Sequence, residues 1–459
     1  MSFLKRSGQS QQQGAKSVDD SLVAIDIGTS KVRIISGTVK KDGQVEILGY
    51  SESKSRGVNK GAITDISELS AVLTEVIQQF NKNFSMNVQH CIVGIPGCFI
   101  KSQMQEGTAT VQSGYVTIRD RNLAIENARA GTNLGEDEEI IHTLPQNYHT
   151  QTSEEVINPI GQYAKRLTVE AQIISCKRGH VANLNNVLSS VSSDIQVDSK
   201  IYNGIAAADA VLTESEKEIG VSLIDIGGGT VSVNVYDNKR MIFSFGFPSG
   251  GDGITQQIAK NMGISLDMAE QLKVQFGLAD PGLIPQDKQN VRLKFKQSSM
   301  YQRDDDNSIS YSQLSIIIHE ELKQLFQRII YTISDFASSN GKSLNLGAGF
   351  VLTGGVANTV GMECVLEEVV RELYVSQDSA YPMNKIKVRI AQPLGLVGGQ
   401  ENSSIGGSSL LSPDKAVAVG LLRSGRSLIE EKIFYENNSE KQKKKSIIRS
   451  IRDWISHEF

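Results

Sequence analysis

The chain has 459 residues, with 47 basic and 51 acidic side chains, a formal charge of −4 and 39% apolar residues. That length supports two or three domain-sized units, and the charge balance excludes a protein that binds nucleic acid through bulk positive charge. Four scattered cysteines without a Cys-x-x-Cys pair, six histidines without ligand spacing, and no apolar run of about 20 residues argue against a disulfide framework, a zinc site and a spanning helix.

Residues 1–20 are polar, with Gln-Gln-Gln and scattered Ser and Gly, and read as a disordered leader. The N-terminus has no signal-type apolar core. Leu22 to Ile35 reads as an apolar strand ending in Asp26-Ile-Gly28, then Thr29 and Ser30, Lys31, and a second strand. A further strand is expected near Val45–Tyr50. Leu69, Val72, Leu73, Val76, Ile77 and Phe80 fall at helical spacing and predict a helix over Ile66–Phe84. The block 85–166 holds an apolar strand at Cys91, a helix capped by Asp120 that ends near Ala130, and strands near 140–149 and 164–175. A helix near 180–193 follows. The segment Ile201 to Leu212 carries small residues at successive turns, as a close helix crossing at a hinge requires.

Val221 to Val235 repeats the grammar of the first hairpin: a Val- and Ile-rich strand into Asp225, then Gly227, Gly228, Gly229 and Thr230, then a second alternating strand. Glycines at such a turn let backbone N–H groups close on an anion as a concave nest. An aspartate at the strand end faces a phosphate favourably only with a divalent metal between them. A plain β-turn uses the same residues, but the internal repeat implies two related lobes that each offer one phosphate-binding hairpin to a shared cleft.

Helices are expected near 251–262 and at 265–276, the second capped by Ser265. Residues 296–312 read as a polar loop or hairpin tip, and a long helix is expected from Ser312 to Ser338. Gly349 to Gly361 reads as a strand ending in Gly354 and Gly355 that leads into a helix, whose N-terminus suits the polar face of a nucleotide. The Gly- and Ser-rich stretch 395–412 reads as a loop before a second hinge helix over Asp414–Leu422, capped by Ser412 or Asp414. Residues 423–445 are polar and charged and read as a linker.

The end of the chain is amphipathic. Over 446–459, Ile447, Ile448, Ile451, Trp454, Ile455 and Phe459 share one helical face, while Arg449 and Arg452 lie off it. Lys443, Lys444 and Lys445 precede this segment. Residues 441–459 hold four lysines and two arginines against two acids, a side-chain charge of +4. A helix of about 14 residues is roughly 21 Å long, too short to span a bilayer. Basic residues beside an apolar face that carries Trp form the pattern of a helix lying in the interface of an anionic membrane. The alternative is a helix that docks on protein.

The two Asp-x-Gly hairpins, the later Thr353-Gly-Gly355 segment and Ala269-Glu270-Gln-Leu-Lys273 between them resemble the actin, Hsp70 and sugar-kinase superfamily. With the basic amphipathic end, the chain resembles the FtsA family of bacterial cell-division proteins over essentially residues 21–459. The resemblance implies an α/β, bilobed actin-like fold with duplicated ribonuclease-H-like lobes, an inserted strand–helix–strand–strand subdomain (1C), and a C-terminal amphipathic helix. The implied division is lobe one from 21–84, 167–213 and 414–422, the insert at 85–166, lobe two from 214–250 and 347–413, and its small subdomain at 251–346.

It further implies ATP or ADP with Mg2+. Phosphate would meet Gly28, Thr29, Ser30 and Lys31 from one lobe and Gly227, Gly228, Gly229 and Thr230 from the other. Asp26 and Asp225 would hold magnesium, largely through water. Glu270, Lys273, Gly354 and Gly355 would hold the nucleoside. The implied function is to polymerise and to tether the FtsZ ring to the inner face of the cytoplasmic membrane at the septum. FtsZ's C-terminal peptide would dock on 251–346, and later division proteins on 85–166. Where related ATPases place a Gln or Glu that orients water, this chain has Tyr202-Asn-Gly-Ile, so slow or negligible hydrolysis is expected. A pilus-assembly actin-like protein and a sugar or acid kinase are the alternatives within this fold.

Overall fold

A computed structural model describes residues 21–153, 155–289, 291–294, 308–339, 344–376, 386–397 and 409–429. The expected leader, the polar tip within 296–307, most of the 395–412 loop and the whole amphipathic end with its membrane-facing residues lie outside the described residues.

Two sheets repeat one topology. In lobe one the order is Val45–Lys54, Lys31–Val39, Leu22–Ile27, His90–Ile95 and Gln196–Tyr202, with the short strand Leu396–Val397 added at the Val45 edge. The first three are antiparallel and the last two run parallel to Leu22–Ile27. Lobe two repeats this with Arg240–Phe247, Val231–Asp237, Val221–Ile226, Gly349–Thr353 and Val388–Ile390. Parallel neighbours need long crossovers. The crossovers carry the helices that cover each sheet. Ile66–Phe84 is started by Asp65, which accepts from Glu68 N–H at 2.9 Å, and ends at Ser85 in the left-handed region. It buries the six residues that the spacing singled out, against Arg178–Val191 and the sheet.

The insert differs in extent from the expected 85–166. Strand His90–Ile95 belongs to the lobe-one sheet, because Ile92 and Val93 pair with Ala24 and Ile25. Strand Arg166–Lys177 is the centre of the insert's own sheet, flanked by Ile100–Thr110 and Glu138–His149. A long apolar run gives no sign of which sheet receives it. The insert's helix, Ile118–Ala130, is capped by Thr117, with Asp120 returning the bond to the Thr117 N–H in a capping box, so Asp120 is the third helical residue rather than the cap.

The lobes join at a crossing of two helices, Asn203–Val211 and 416–429. Ala206, Ala207, Ala208 and Ala210 meet Ala416, Ala418, Val419, Leu421 and Leu422 in one buried cluster with Ala24 of lobe one and Leu223 and Val351 of lobe two. A Cβ built on Gly420 would fall 1.7 Å from the Ala206 carbonyl oxygen, so the backbones touch there. The second helix begins with a 3-10 turn, Pro413–Lys415, after Ser412, and continues through 429. Residues 423–429, expected to open a linker, are therefore helix. Ser424 Oγ bonds Asp209 at 2.6 Å, Arg423 donates to the Asp209 carbonyl at 2.7 Å, and Leu428 packs on the hinge cluster.

The small subdomain of lobe two consists of Gly251–Met262, Leu266–Phe276, the pair Arg292–Lys294 and Ser308–Ser310, and the long helix Tyr311–Ser339. Ser265 accepts from Met268 N–H and starts the second of these helices, as its sequence position predicts.

Candidate functional site

The repeated turns share one closure. Gly28 N–H donates to Lys31 O and Gly227 N–H donates to Thr230 O, both at 2.9 Å, so each glycine turns its hairpin back at the end of an aspartate-bearing strand. The tips face each other across the cleft. A Cβ on Gly228 would meet Ser30 Oγ at 2.0 Å, and one on Gly229 would meet Thr29 Oγ1 at 2.7 Å. No other residue type fits this approach. A third turn clamps both: Gly61 N–H donates to Thr29 Oγ1 at 3.0 Å and packs on Thr230.

Behind the hairpins lies a cavity of about 360 Å³. Asp26, Gly28, Thr29, Ser30, Lys31, Asp225, Gly227, Gly228, Thr230, Glu270, Lys273, Gly354 and Gly355 all line it. Of the expected ligand residues only Gly229 does not, being turned to the tip contact with Thr29 and Lys60. The helix start Gly251 is tied beneath the second hairpin by its N–H to Gly227 O at 3.0 Å, and Asp252 N–H reaches Gly228 O at 2.7 Å.

At the far end, Lys273 Nζ donates to Glu270 at 2.6 Å, to the Gly251 carbonyl at 3.0 Å and to Thr255 Oγ1 at 2.8 Å. Glu270 is half exposed toward the cleft, whereas Lys273 is largely covered. The helix pair is thus built into the wall, with Val274, Gly277, Val356, Asn358 and Thr359 completing a slot that is partly apolar. Gly354 takes φ +89°, and a Cβ there would strike Asp225 Oδ1 at 2.4 Å. Thr353 Oγ1 lies 3.1 Å from the carbonyls of Ala391 and Pro413, which stitches this turn to the start of the second hinge helix. A short 3-10 turn, Gly355–Asn358, follows, so the long helix expected directly after the glycines starts only at Met362.

The floor is ionic. Asp26 is buried and accepts from Arg33 Nη1 at 3.2 Å. Arg33 also donates from Nη2 to Asp414 at 2.8 Å and from Nε to Glu52 at 3.3 Å. Lys415, almost fully buried, reaches Glu52 at 2.8 Å and Asp414 at 2.9 Å, and Lys31 reaches Glu52 at 2.6 Å. Burial works against the Glu52 carboxylate, but bonds from Lys31, Lys415 and Tyr50 hold it well below the usual range. Burial raises Asp26, with Arg33 opposing. Among the described residues no cation is hydrogen-bonded to Asp225; burial, with the Asp26 charge behind it and Arg33 opposing from a distance, pushes its carboxyl up to about 7. Asn203 lines the cavity, and its Oδ1 is buried without a hydrogen-bond partner among the described residues.

Sequence reasoning missed Arg33, Glu52, Asp414 as a charged group, and Lys415. Only Arg33 left a local signal, because it stands on the same strand face as Lys31, two residues on.

Among the described residues no group of three or more His, Cys, Asp and Glu side chains is placed to hold a metal, and no helix is long and apolar enough to cross a membrane. A divalent ion here would rest on nucleotide phosphates, water and one or two carboxylates, which is the usual arrangement for magnesium.

Comparison with known proteins gives a consistent answer. A family model described as cell division protein FtsA matches residues 222–420, and one described as the SHS2 domain inserted in FtsA matches 97–175. The latter agrees with the insert's observed extent. A model of the type IV pilus assembly protein PilM matches 155–282. The chain is 27% identical over 448 residues to the cell division protein FtsA of Escherichia coli strain K12, covering 95% of this chain and 98% of that protein. It is 28% identical over 443 residues to the FtsA of Buchnera aphidicola subsp. Schizaphis graminum, with the same coverage. Among solved structures, the PilM–PilN type IV pilus biogenesis complex superposes with a TM-score of 0.57 at 12% identity, over 88% of this chain and 98% of that one, a likeness of fold. With both FtsA models matched in their proper order and full-length relatives aligned end to end, the chain belongs to the FtsA family of bacterial cell-division proteins, built on an actin-like fold.

Proposed function

We propose that this chain binds ATP between its lobes, polymerises, and tethers the FtsZ ring to the inner face of the cytoplasmic membrane, where it helps recruit later division proteins. The observation that carries this reading is the facing pair of Asp-x-Gly hairpins over one cavity, in a chain of the FtsA family. Phosphates take the backbone N–H groups of the two hairpins, and the nucleoside takes the slot of Glu270, Lys273, Gly354 and Gly355. Asp225 would hold magnesium, largely through water. Supporting a structural rather than a metabolic role for ATP, the hinge offers Asn203, an amide that holds water but takes no proton. ATP then acts by favouring one lobe arrangement, the one that polymerises.

The +4 amphipathic end, residues 441–459, supplies peripheral membrane attachment through Trp454 and its isoleucines, with each basic residue near an anionic surface adding about 1 kcal/mol. The small subdomain 251–346 receives the FtsZ C-terminal peptide, and the insert receives later division proteins. The pilus-assembly reading draws on the PilM match, but it leaves the basic amphipathic end without a role.

The test is co-sedimentation with anionic liposomes and ATP, comparing the full chain with one ending at Glu440. Binding by the full chain alone is expected. Equal binding by both, or by neither, refutes the tether.

A further inference from the structure

The two hairpins are duplicates in backbone but not in charge. In the first, the cross-strand partner of Asp26 is Arg33; in the second, the partner of Asp225 is Ser232. Directly opposed residues on one face of an antiparallel pair are neighbours, so register alone sets a guanidinium against one aspartate and a hydroxyl-bearing side chain against the other.

Resting on the nucleotide reading above, we propose that Arg33 is a fixed cation of the phosphate floor, which takes over from magnesium at Asp26 and makes nucleotide binding only weakly dependent on a divalent metal. In sites of this kind a metal separates phosphate from carboxylate and neutralises both. Here the Asp26 carboxylate is already met by Arg33 Nη1 at 3.2 Å. The floor holds Asp26, Glu52 and Asp414 against Lys31, Arg33 and Lys415, three charges of each sign, all joined by the contacts above.

Arg33 has donors to spare. A guanidinium carries five N–H groups in a fixed fork, and hydrogen bonds to Asp26, Glu52 and Asp414 use three of them. Its side chain is 11% exposed, and that exposure is to the cavity it lines. Held on three sides by carboxylates, it cannot leave its position, so it offers an anion above it a preformed partner at little entropic cost. The metal's remaining carboxylate partner is Asp225 alone, because no cation is paired with that residue among the described residues.

The experiment is titration calorimetry of the full chain with ATP, first in excess Mg2+ and then in EDTA. The expected ratio of the two affinities is below about tenfold. A ratio of a hundredfold or more overturns the proposal. An absence of ATP binding in both conditions overturns the nucleotide reading itself, a different result. Arg33→Met and Arg33→Lys, each checked for folding by circular dichroism, extend the test. The Met variant is expected to become metal-dependent by a further tenfold or more, with Lys restoring much of the parent behaviour. A folded Met variant with the parent's ratio also overturns the proposal. If the Met variant does not fold, the parent's ratio decides by itself.

Discussion

Gly420→Ala probes the close backbone contact that sets the spacing of the two hinge helices. The added Cβ would lie 1.7 Å from the Ala206 carbonyl oxygen, whereas ordinary contact begins near 3.4 Å. The obstacle is backbone on both sides, so no side chain can swing away, and the helices must part by about 1.7 Å. Overpacking of this kind costs about 1–3 kcal/mol. Separating a seam of buried alanines also forfeits dispersion contacts along its length, which places the total near the top of that range. Since the hinge carries the opposed hairpins, the displacement also opens the nest, and an ATP affinity at least tenfold weaker is expected, equivalent to 1.4 kcal/mol. Gly179→Ala serves as control: it lies in the first turn of Arg178–Val191 with nothing within 4 Å of the new Cβ, and should stabilise by about 0.4–1 kcal/mol through the unfolded state. Urea unfolding followed by circular dichroism, with ATP calorimetry, reads both. A Gly420→Ala protein that unfolds at the parent's midpoint and binds ATP as tightly refutes the reasoning.

Other outcomes follow from the charges and the hinge. Asp225, raised to about 7 from an ordinary value near 3.8, is destabilising when ionised. Its contribution is intact below about pH 4 and is lost as pH rises through 7, so Asp225→Asn should stabilise the nucleotide-free protein in EDTA at pH 8, by at most about 4 kcal/mol. The same change should weaken ATP binding in Mg2+; a variant less stable than the parent at pH 8 contradicts the assignment. His142, buried in the insert and lowered to about 4 by burial, accepts from the Tyr202 N–H at 3.0 Å. Its contribution is present above about pH 6.5 and is lost as pH falls toward 4, about 2 kcal/mol at pH 5. His142→Gln, which keeps an acceptor without titrating, should therefore flatten the melting-temperature profile between pH 7 and pH 5, and an unchanged slope rules this out. Phosphate release from ATP should be slow, and a turnover of several per second would remove Asn203 from the role given to it.

The fold was readable to the extent that it is local or repeated. The hairpins Leu22–Ile35 and Val221–Val235 announce themselves because a strand, an aspartate and a glycine turn are contiguous, and the copy doubles the signal. The helix Ile66–Phe84 follows from six apolar positions at one spacing, all of which are buried. Strand ownership was not readable. His90–Ile95 and Arg166–Lys177 are both apolar runs beside the insert. One joins the lobe and the other the insert because of pairing with Ala24 and with Ile100–Thr110, partners about 70 residues away. The early end assigned to the hinge helix has the same origin: residues 423–429 look polar in sequence, but Arg423 and Ser424 spend their polarity on Asp209, more than two hundred residues earlier.

For the site the divide is chemical. Residues that shape the cavity through backbone geometry were legible, since glycine at a strand end leaves few other uses. Residues that act through charge were not, because an isolated Arg33, Glu52 or Lys415 has the composition of any solvated surface. What makes them a site is that Asp414 and Lys415, delivered by the second hinge helix, close on Arg33 and Glu52 from the first hairpin and its neighbouring strand. This couples two properties that appear separate in the sequence. The salt-bridged floor of the cavity is also the seam between lobe one and the last hinge helix. An anion that takes up the spare donors of Arg33 draws on the same guanidinium charge that holds Asp414, and so reports its presence to the hinge. By reciprocity, whatever fixes the hinge, filament contacts included, must change nucleotide affinity by the same factor. Asp414→Asn isolates this coupling, since it frees Arg33 without removing it: ATP affinity should rise while the hinge loses stability. If both fall together, the floor and the hinge are coupled only through folding.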